Sequence, residues 1–494
     1  MNVLKLIVLL IVLLIVEGVF FWFFRTLPNS SVDSVVLIGL LGFFPACVGA
    51  FSGSFSKPLL RYTANASFIL LGLSLCTLPM INRGAVSLFV GSWLLGRVFG
   101  EMLAAKKAPG SWIASMRLSW NQSTFSFLSL AFLLLLVSFS LSCLVRGVMP
   151  GGVGHLQKPT YIVCGYIAAA FLAFSLLRIE NKKEAMSFVF IGLGIGVVLA
   201  VFVCLGQYWN LHPLFSSNIN PFFRSLGRCS ASFSDPNAFG VMGALLIPAM
   251  FFIGEGRTRR LFQVAALSLL AVLPLSGSRT AWLGLAFWII GFVIYKLKYG
   301  AGKRALKVMA CFGVLGVLAI IALGQPELNA RLRKQTNVTG FVRMLQTIDW
   351  NEAPSMFDSR RIYSKIALEV WKQSPWIGVG LDGFYRKQAR AARSLGIDLN
   401  GWRDNANNFY LQILSEQGIL GMCLVLSSFI LFGYAVRDAP FVRKLSLGVL
   451  AVMLITGPHF FFDEVRYMSV LLLVLALVEL QDLCPPSLKL RRAP

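Results

Sequence analysis

Nine arginines fall within one polar stretch, residues 325–407, of a chain otherwise built from apolar runs: Arg331, Arg333, Arg343, Arg360, Arg361, Arg386, Arg390, Arg393 and Arg403. Each guanidinium is a planar fork able to pair two oxygens of a phosphate or carboxylate. A solvated charged face is the structural alternative. So many forked donors on one side of the apolar runs point instead to an anionic ligand.

Four constellations could carry that chemistry. Ser276-Gly277-Ser278-Arg279 sits in a turn between two apolar runs. Its small residues let backbone approach a ligand, and Arg279 either offers forked donors or snorkels to headgroups. Ser359-Arg360-Arg361 opens a helical periodicity running to Trp371, which Pro375 and the turn Gly378-Val379-Gly380 end. Arg360 at the start of such a helix would share an anion with the exposed N–H groups. Arg361 beside it could share the role, and Asp382 follows the turn as a candidate substrate contact. Asp404-Asn405-Ala406-Asn407-Asn408 crowds polar side chains at the mouth of a run where capping would need only one. Arg224, Arg228 and Asp235-Pro236-Asn237 form the fourth group, whose Asp-Pro-Asn is also a turn and helix-start signal.

The elements that must hold these groups are helices in a membrane. Hydrophobic residues make up 57% of the chain and charged residues 13%, which excludes an ordinary soluble domain. Apolar runs recur from 3–24 to 306–323, and again at 410–436, 445–460 and 466–483. They predict an all-α polytopic membrane protein of about fourteen transmembrane helices with one large outer loop containing helices. The expected organisation is 1–323 transmembrane, 324–407 outer loop, and 408–494 transmembrane with a short basic tail. Basic residues such as Lys57, Arg61, Lys106, Lys107, Lys182, Lys183, Arg259, Arg260, Arg443 and Lys444 fall on alternate loops, which puts both termini in the cytoplasm and residues 325–407 outside. The same loops hold much of the net charge of +24, so nucleic acid is not the expected partner. Nine cysteines include no CxxC pair, and Cys229 stands alone in an outer loop. Gly192, Gly194 and Gly196 lie within a run and read as close helix packing.

Taken together, the segments from about Arg224 to Gly421 resemble the O-antigen ligase and polymerase superfamily of bacterial envelope glycan enzymes. The resemblance rests on Ser-Gly-Ser-Arg279 with Leu283, Ser359-Arg360, Gly378-Val379-Gly380, and Asn408 with Leu411 before Glu416 and Gly418. It implies an inverting glycosyltransferase of the bacterial inner membrane, active on its periplasmic face, that moves a glycan from a polyprenyl diphosphate to a glycan or lipid acceptor hydroxyl without a cofactor. The family's diphosphate-binding arginines fall on Arg279 and Arg360. The family's histidine is replaced by Asn407, which hydrogen-bonds but takes no proton near neutral pH. Asp404, Asp382, Asp463, Glu464 and His459 are then the candidate proton acceptors, with Asn407 and Asn408 beside the acceptor or leaving group. A lipid-linked glycan transporter is the rival reading, though apart from Glu17, Arg97 and Glu101 a polar path through the runs is lacking.

Overall fold

The computed structural model describes residues 58–78, 85–105, 122–148, 157–177, 181–209, 228–233, 235–252, 256–298, 353–399, 404–455 and 463–483, with a few isolated positions between them. All regular structure among these residues is helical. In hydrocarbon every backbone N–H and C=O must be satisfied within its own segment, and a helix does this without a partner strand. The helices are α1 (Pro58–Thr77), α2 (Ala85–Ala105), α3 (Gln122–Val148), α4 (Gln157–Leu177), α5 (Lys182–Tyr208), α6 (Pro236–Phe252), α7 (Gly256–Val272), α8 (Arg279–Lys298), α9 (Ala353–Lys372), α10 (Gly383–Ser394), α11 (Phe409–Ala435), α12 (Phe441–Leu454) and α13 (Asp463–Leu483).

Five stretches are long and apolar enough to cross a membrane: Ser126–Val148, Lys158–Leu177, Lys182–Tyr208, Arg259–Ser276 and Phe409–Ala435. Four shorter apolar helices accompany them: Ala64–Thr77, Ala85–Arg97, Pro236–Phe251 and Arg279–Tyr295. The runs expected at 3–24 and 306–323 lie outside the described residues, as do Glu17 and most of the first half of the arginine-rich stretch.

The intramembrane glycines do what their position suggested. A Cβ on Gly192 would fall 2.0 Å from the Ile69 carbonyl oxygen, and one on Gly72 would fall 1.9 Å from that of Val189. The two glycines thus let α1 and α5 meet backbone to backbone, the contact that small residues permit where no hydrophobic force drives helices together. Elsewhere the buried Phe139 stacks on Tyr166 at 4.1 Å, and nearer the surface the α8 residue Tyr295 stacks on Phe441 of α12 at 4.6 Å.

α11 is broken, although its sequence reads as one uninterrupted run. Gly418 has φ 66° and ψ −166°, and the turn after α9 fills the gap. Ile419 and Leu420 would donate to the Ser415 and Glu416 carbonyls in a regular helix. They donate instead to Pro375 (2.9 Å) and Trp376 (3.1 Å). The freed Ser415 and Glu416 carbonyls accept from Val379 (3.1 Å) and Gly380 (2.9 Å). Four hydrogen bonds thus replace the missing ladder, which is how non-helical backbone survives where protein rather than lipid surrounds it. Leu381, fully buried, continues into the apolar cluster of Phe139, Tyr166, Phe409 and Ile413.

α9 and α10 form a small satellite on this turn, joined by a core of Tyr363, Ile366, Val370, Val379, Phe384, Ala391 and Ala406. One expectation needs correcting. The periodicity put the start of α9 near Arg360, whereas the helix begins at Ala353, with Pro354 in its first turn where a missing N–H costs nothing. Arg360 therefore lies two turns inside the helix, and terminal N–H groups do not add to its pull.

Candidate functional site

The site starts from a short loop ahead of α6, residues 228–233, buried from Cys229 to Phe233. Gln207 near the end of α5 holds it, accepting from the backbone N–H of Ser230 (3.0 Å) and Ala231 (2.9 Å) and donating to the Ala231 carbonyl (2.7 Å). Cys229 N–H donates to the Leu275 carbonyl at 2.8 Å, tying the loop to the 3-10 turn Leu273–Ser276. Asp235 turns the chain into α6 by accepting from Asn237 N–H at 2.6 Å, so the Asp-Pro-Asn signal is a helix start. It is also more than that, because Asn237 Oδ1 accepts from Arg228 Nη2 at 2.9 Å.

Arg228 lies across the Ser-Gly-Ser turn. Its Nε donates to the Ser276 carbonyl at 2.7 Å. Gly277 has φ 60°, and a Cβ there would sit 3.1 Å from Arg228 Nε. The glycine thus serves both a left-handed turn and the passage of an arginine over it. Ser276 Oγ accepts from Ser278 N–H at 3.1 Å, closing the turn. Ser278 is itself fully buried against Gly240, and among the described residues its hydroxyl has no hydrogen-bond partner.

Arg279 follows, exposed at the first residue of α8. It lies within the electrostatic reach of Arg228 on one side and of Arg360, half-buried on α9, on the other. Burial lowers the pKa of Arg228, and the Arg279 charge lowers it further against the opposing pull of Asp235. Burial likewise lowers that of Arg360. Arginines stay protonated even so, and like charges from three separate segments therefore adjoin, with Arg279 between the other two. Coulomb repulsion disfavours such a cluster unless anionic groups enter it. Among the described residues no carboxylate acts on Arg279 or Arg360.

The loop before α11 completes this face. Asn407 has φ 52°, a left-handed conformation in which Asn, Asp and His are the side chains most often found. Its Nδ2 donates to Asp404 Oδ2 at 3.2 Å, and its backbone N–H donates to Asn405 Oδ1 at 2.8 Å. Ala406 N–H donates to Gln412 Oε1 (2.8 Å), and Gln412 Nε2 donates to Glu416 Oε1 (2.7 Å), so a buried polar chain anchors the loop to the broken helix. Asp404 is exposed and acts electrostatically on Tyr363, one turn along α9 from Arg360. Burial raises the Tyr363 pKa, and the Asp404 charge adds to the rise.

The other expected residues divide. Arg361 is exposed beside Arg360. Asn408 is the N-cap of α11, accepting from Leu411 N–H at 3.0 Å. Asp382 pairs with Lys158 of α4. Arg224 and His459 lie outside the described residues. Of the candidate proton acceptors, Asp463 is already held by Ser87 (2.7 Å), Tyr161 and Arg466 (3.1 Å), and Glu464 is buried within reach of Asp235. Asp404 alone of the described candidates is both exposed and bonded to Asn407. Gln412 closes the polar crowd at the mouth of its run, but Gln207 and Lys158 had no signal in the sequence. Each is a single polar residue inside or beside an apolar run, and only the fold reveals which loop it grips.

Residues 264–426, roughly a third of the chain, match the family described as O-antigen ligase. The matched region runs from within α7 to within α11 and so includes Arg279, Arg360, Asp404 and Asn407. No curated protein matches the chain.

Proposed function

We propose, for a chain whose residues 264–426 belong to the O-antigen ligase and polymerase superfamily, an inverting transfer of a glycan from a polyprenyl diphosphate to an acceptor hydroxyl at the periplasmic face of a bacterial inner membrane. The convergence of Arg228, Arg279 and Arg360 carries this reading. Guanidiniums suit the oxygens of a diphosphate, and they stabilise it best when the glycosidic C–O bond breaks and further charge develops on the leaving group. The acceptor oxygen attacks the anomeric carbon from the opposite side, which inverts it. Asp404 takes the hydroxyl proton, and Asn407 orients the carboxylate through the bond between them. The acceptor is a growing glycan for a polymerase or a lipid-borne core for a ligase.

Purified protein in vesicles, given a polyprenyl-diphosphate-linked glycan and an acceptor, should form the new glycosidic bond and release polyprenyl diphosphate. Movement of the intact lipid-linked glycan across the vesicle without bond formation would make the protein a transporter. Asp404→Asn should lower turnover by roughly 10² or more, the upper part of the general-base range being 10⁴. Asn407→His should fold, since histidine tolerates the same backbone, and should retain activity. Full activity in Asp404→Asn would move the proton acceptor elsewhere.

A further inference from the structure

Cys229 is not alone. Cys204 lies on α5 one turn before Gln207, and residues three apart share a helix face. Gln207 grips Ser230 and Ala231, the two residues after Cys229. The same face of α5 therefore meets the 228–233 loop at successive turns, and the two thiols fall within hydrogen-bonding reach of each other. Both are fully buried in one apolar cluster. A third cysteine, Cys76 at the end of α1, also touches this loop, its carbonyl accepting from the Ser232 hydroxyl, while its side chain is directed to another part of α5. It packs against Gly196, two turns below Cys204 on α5.

We propose that Cys204 and Cys229 form a disulfide, a covalent modification site at the same end of the bundle as the arginine cluster. The proposal rests on the outward placement of that end in the function proposed above, because disulfides persist in oxidising compartments and not in the cytoplasm. The step is thiol–disulfide exchange. One cysteine thiolate attacks a disulfide-bearing oxidoreductase, giving a mixed disulfide. The second cysteine thiolate then displaces the oxidoreductase sulfur, so two thiols of this chain are oxidised and one disulfide of the oxidoreductase is reduced to two thiols. Exchange takes place as the loop is laid against α5, before packing closes over both sulfurs.

The bond would have a specific use. Arg228 precedes Cys229, and its loop is tethered by hydrogen bonds, to Gln207, Leu275, Ser276, Asn237 and the Cys76 carbonyl. A covalent link to α5 would fix an arginine that has to stay beside two like charges. It would also remove conformational freedom from the unfolded chain between the two positions.

Membranes should be solubilised in denaturant with and without prior reduction, labelled with a polymer-tagged maleimide, and digested for mass spectrometry in parallel. Wild-type protein should take up two more labels after reduction, and unreduced digests should contain the 204- and 229-bearing peptides joined, two hydrogens lighter than their sum. The increment should vanish in Cys204→Ala and in Cys229→Ala and persist in Cys76→Ala. Equal labelling with and without reduction overturns the proposal, as does an increment that survives both variants. The peptide measurement uses unmutated protein, so a variant that fails to fold does not decide the matter. A reporter fused after Gln325 separates the two ways of failing. If it reads cytoplasmic, the proposed topology is at fault, and if it reads outside while the thiols are free, the disulfide alone is wrong.

Discussion

Arg279→Ala and Arg360→Ala should each reduce glycan transfer on the order of 10² or more while leaving insertion and folding intact, the range seen when one donor to a developing oxyanion is removed. Neither side chain has a carboxylate partner among the described residues, and Arg279 is exposed, so truncation leaves no buried charge unpaired. Removing one arginine even relieves repulsion on the others, which should make the resting protein no less stable. The two effects, activity lost and stability kept or raised, distinguish a ligand-binding charge cluster from a structural one. Arg279→Lys should recover only part of the rate, because an ammonium restores charge without the fork. The measurement is turnover of purified protein in vesicles beside its melting temperature. Near-normal turnover in Arg279→Ala would remove the arginine cluster from the chemistry. Arg228→Ala belongs to a different case, since its side chain also braces the Ser276 and Asn237 ends of the turn, and both activity and stability should fall.

The membrane class and the close helix packing at Gly192 were legible in the chain, because each leaves a local signature, whereas Arg228 read as part of a separate segment from Arg279 and Arg360. Apolar length marks spans, and small residues inside a span mark close approach. What stayed hidden depends on contacts between distant segments. Asp382 looked like a substrate contact and is paired with Lys158 on α4, more than two hundred residues earlier in the chain. Asp463 looked like a proton acceptor and is occupied by Ser87, Tyr161 and Arg466. Cys229 looked solitary because its partner lies in a span where thiols usually serve as small apolar side chains. The break in α11 was hidden for a related reason. Hydropathy registers side chains, whereas the break is a matter of backbone hydrogen bonds that another segment supplies.

That break sets the second large effect. Gly378→Ala and Gly418→Ala should each uncouple the α9–α10 satellite from the bundle. A Cβ on Gly378 would fall 2.2 Å from the Glu416 carbonyl carbon, and one on Gly418 would fall 2.4 Å from that of Trp376. Both obstacles are backbone, so no rotamer change relieves them and the two segments must part. Parting breaks the four hydrogen bonds between residues 375–380 and 415–420, each worth about 1 kcal/mol net. Positive-φ backbone at a non-glycine residue adds about 1–3 kcal/mol. Together these give a cost of roughly 5 kcal/mol, comparable to the low end of a whole domain's stability. Gly396 supplies the internal control. It has φ 68° but nothing within 4 Å of a Cβ, so Gly396→Ala should cost only the conformational term. Limited proteolysis should therefore cut Gly378→Ala and Gly418→Ala between α9 and α10 far faster than wild type or Gly396→Ala. Transfer should fail with them, since Arg360 would no longer be held opposite Arg279. Matching proteolysis in Gly378→Ala and Gly396→Ala would mean that the turn is not docked in the broken helix, and α9 would need another anchor to hold its arginine in the site.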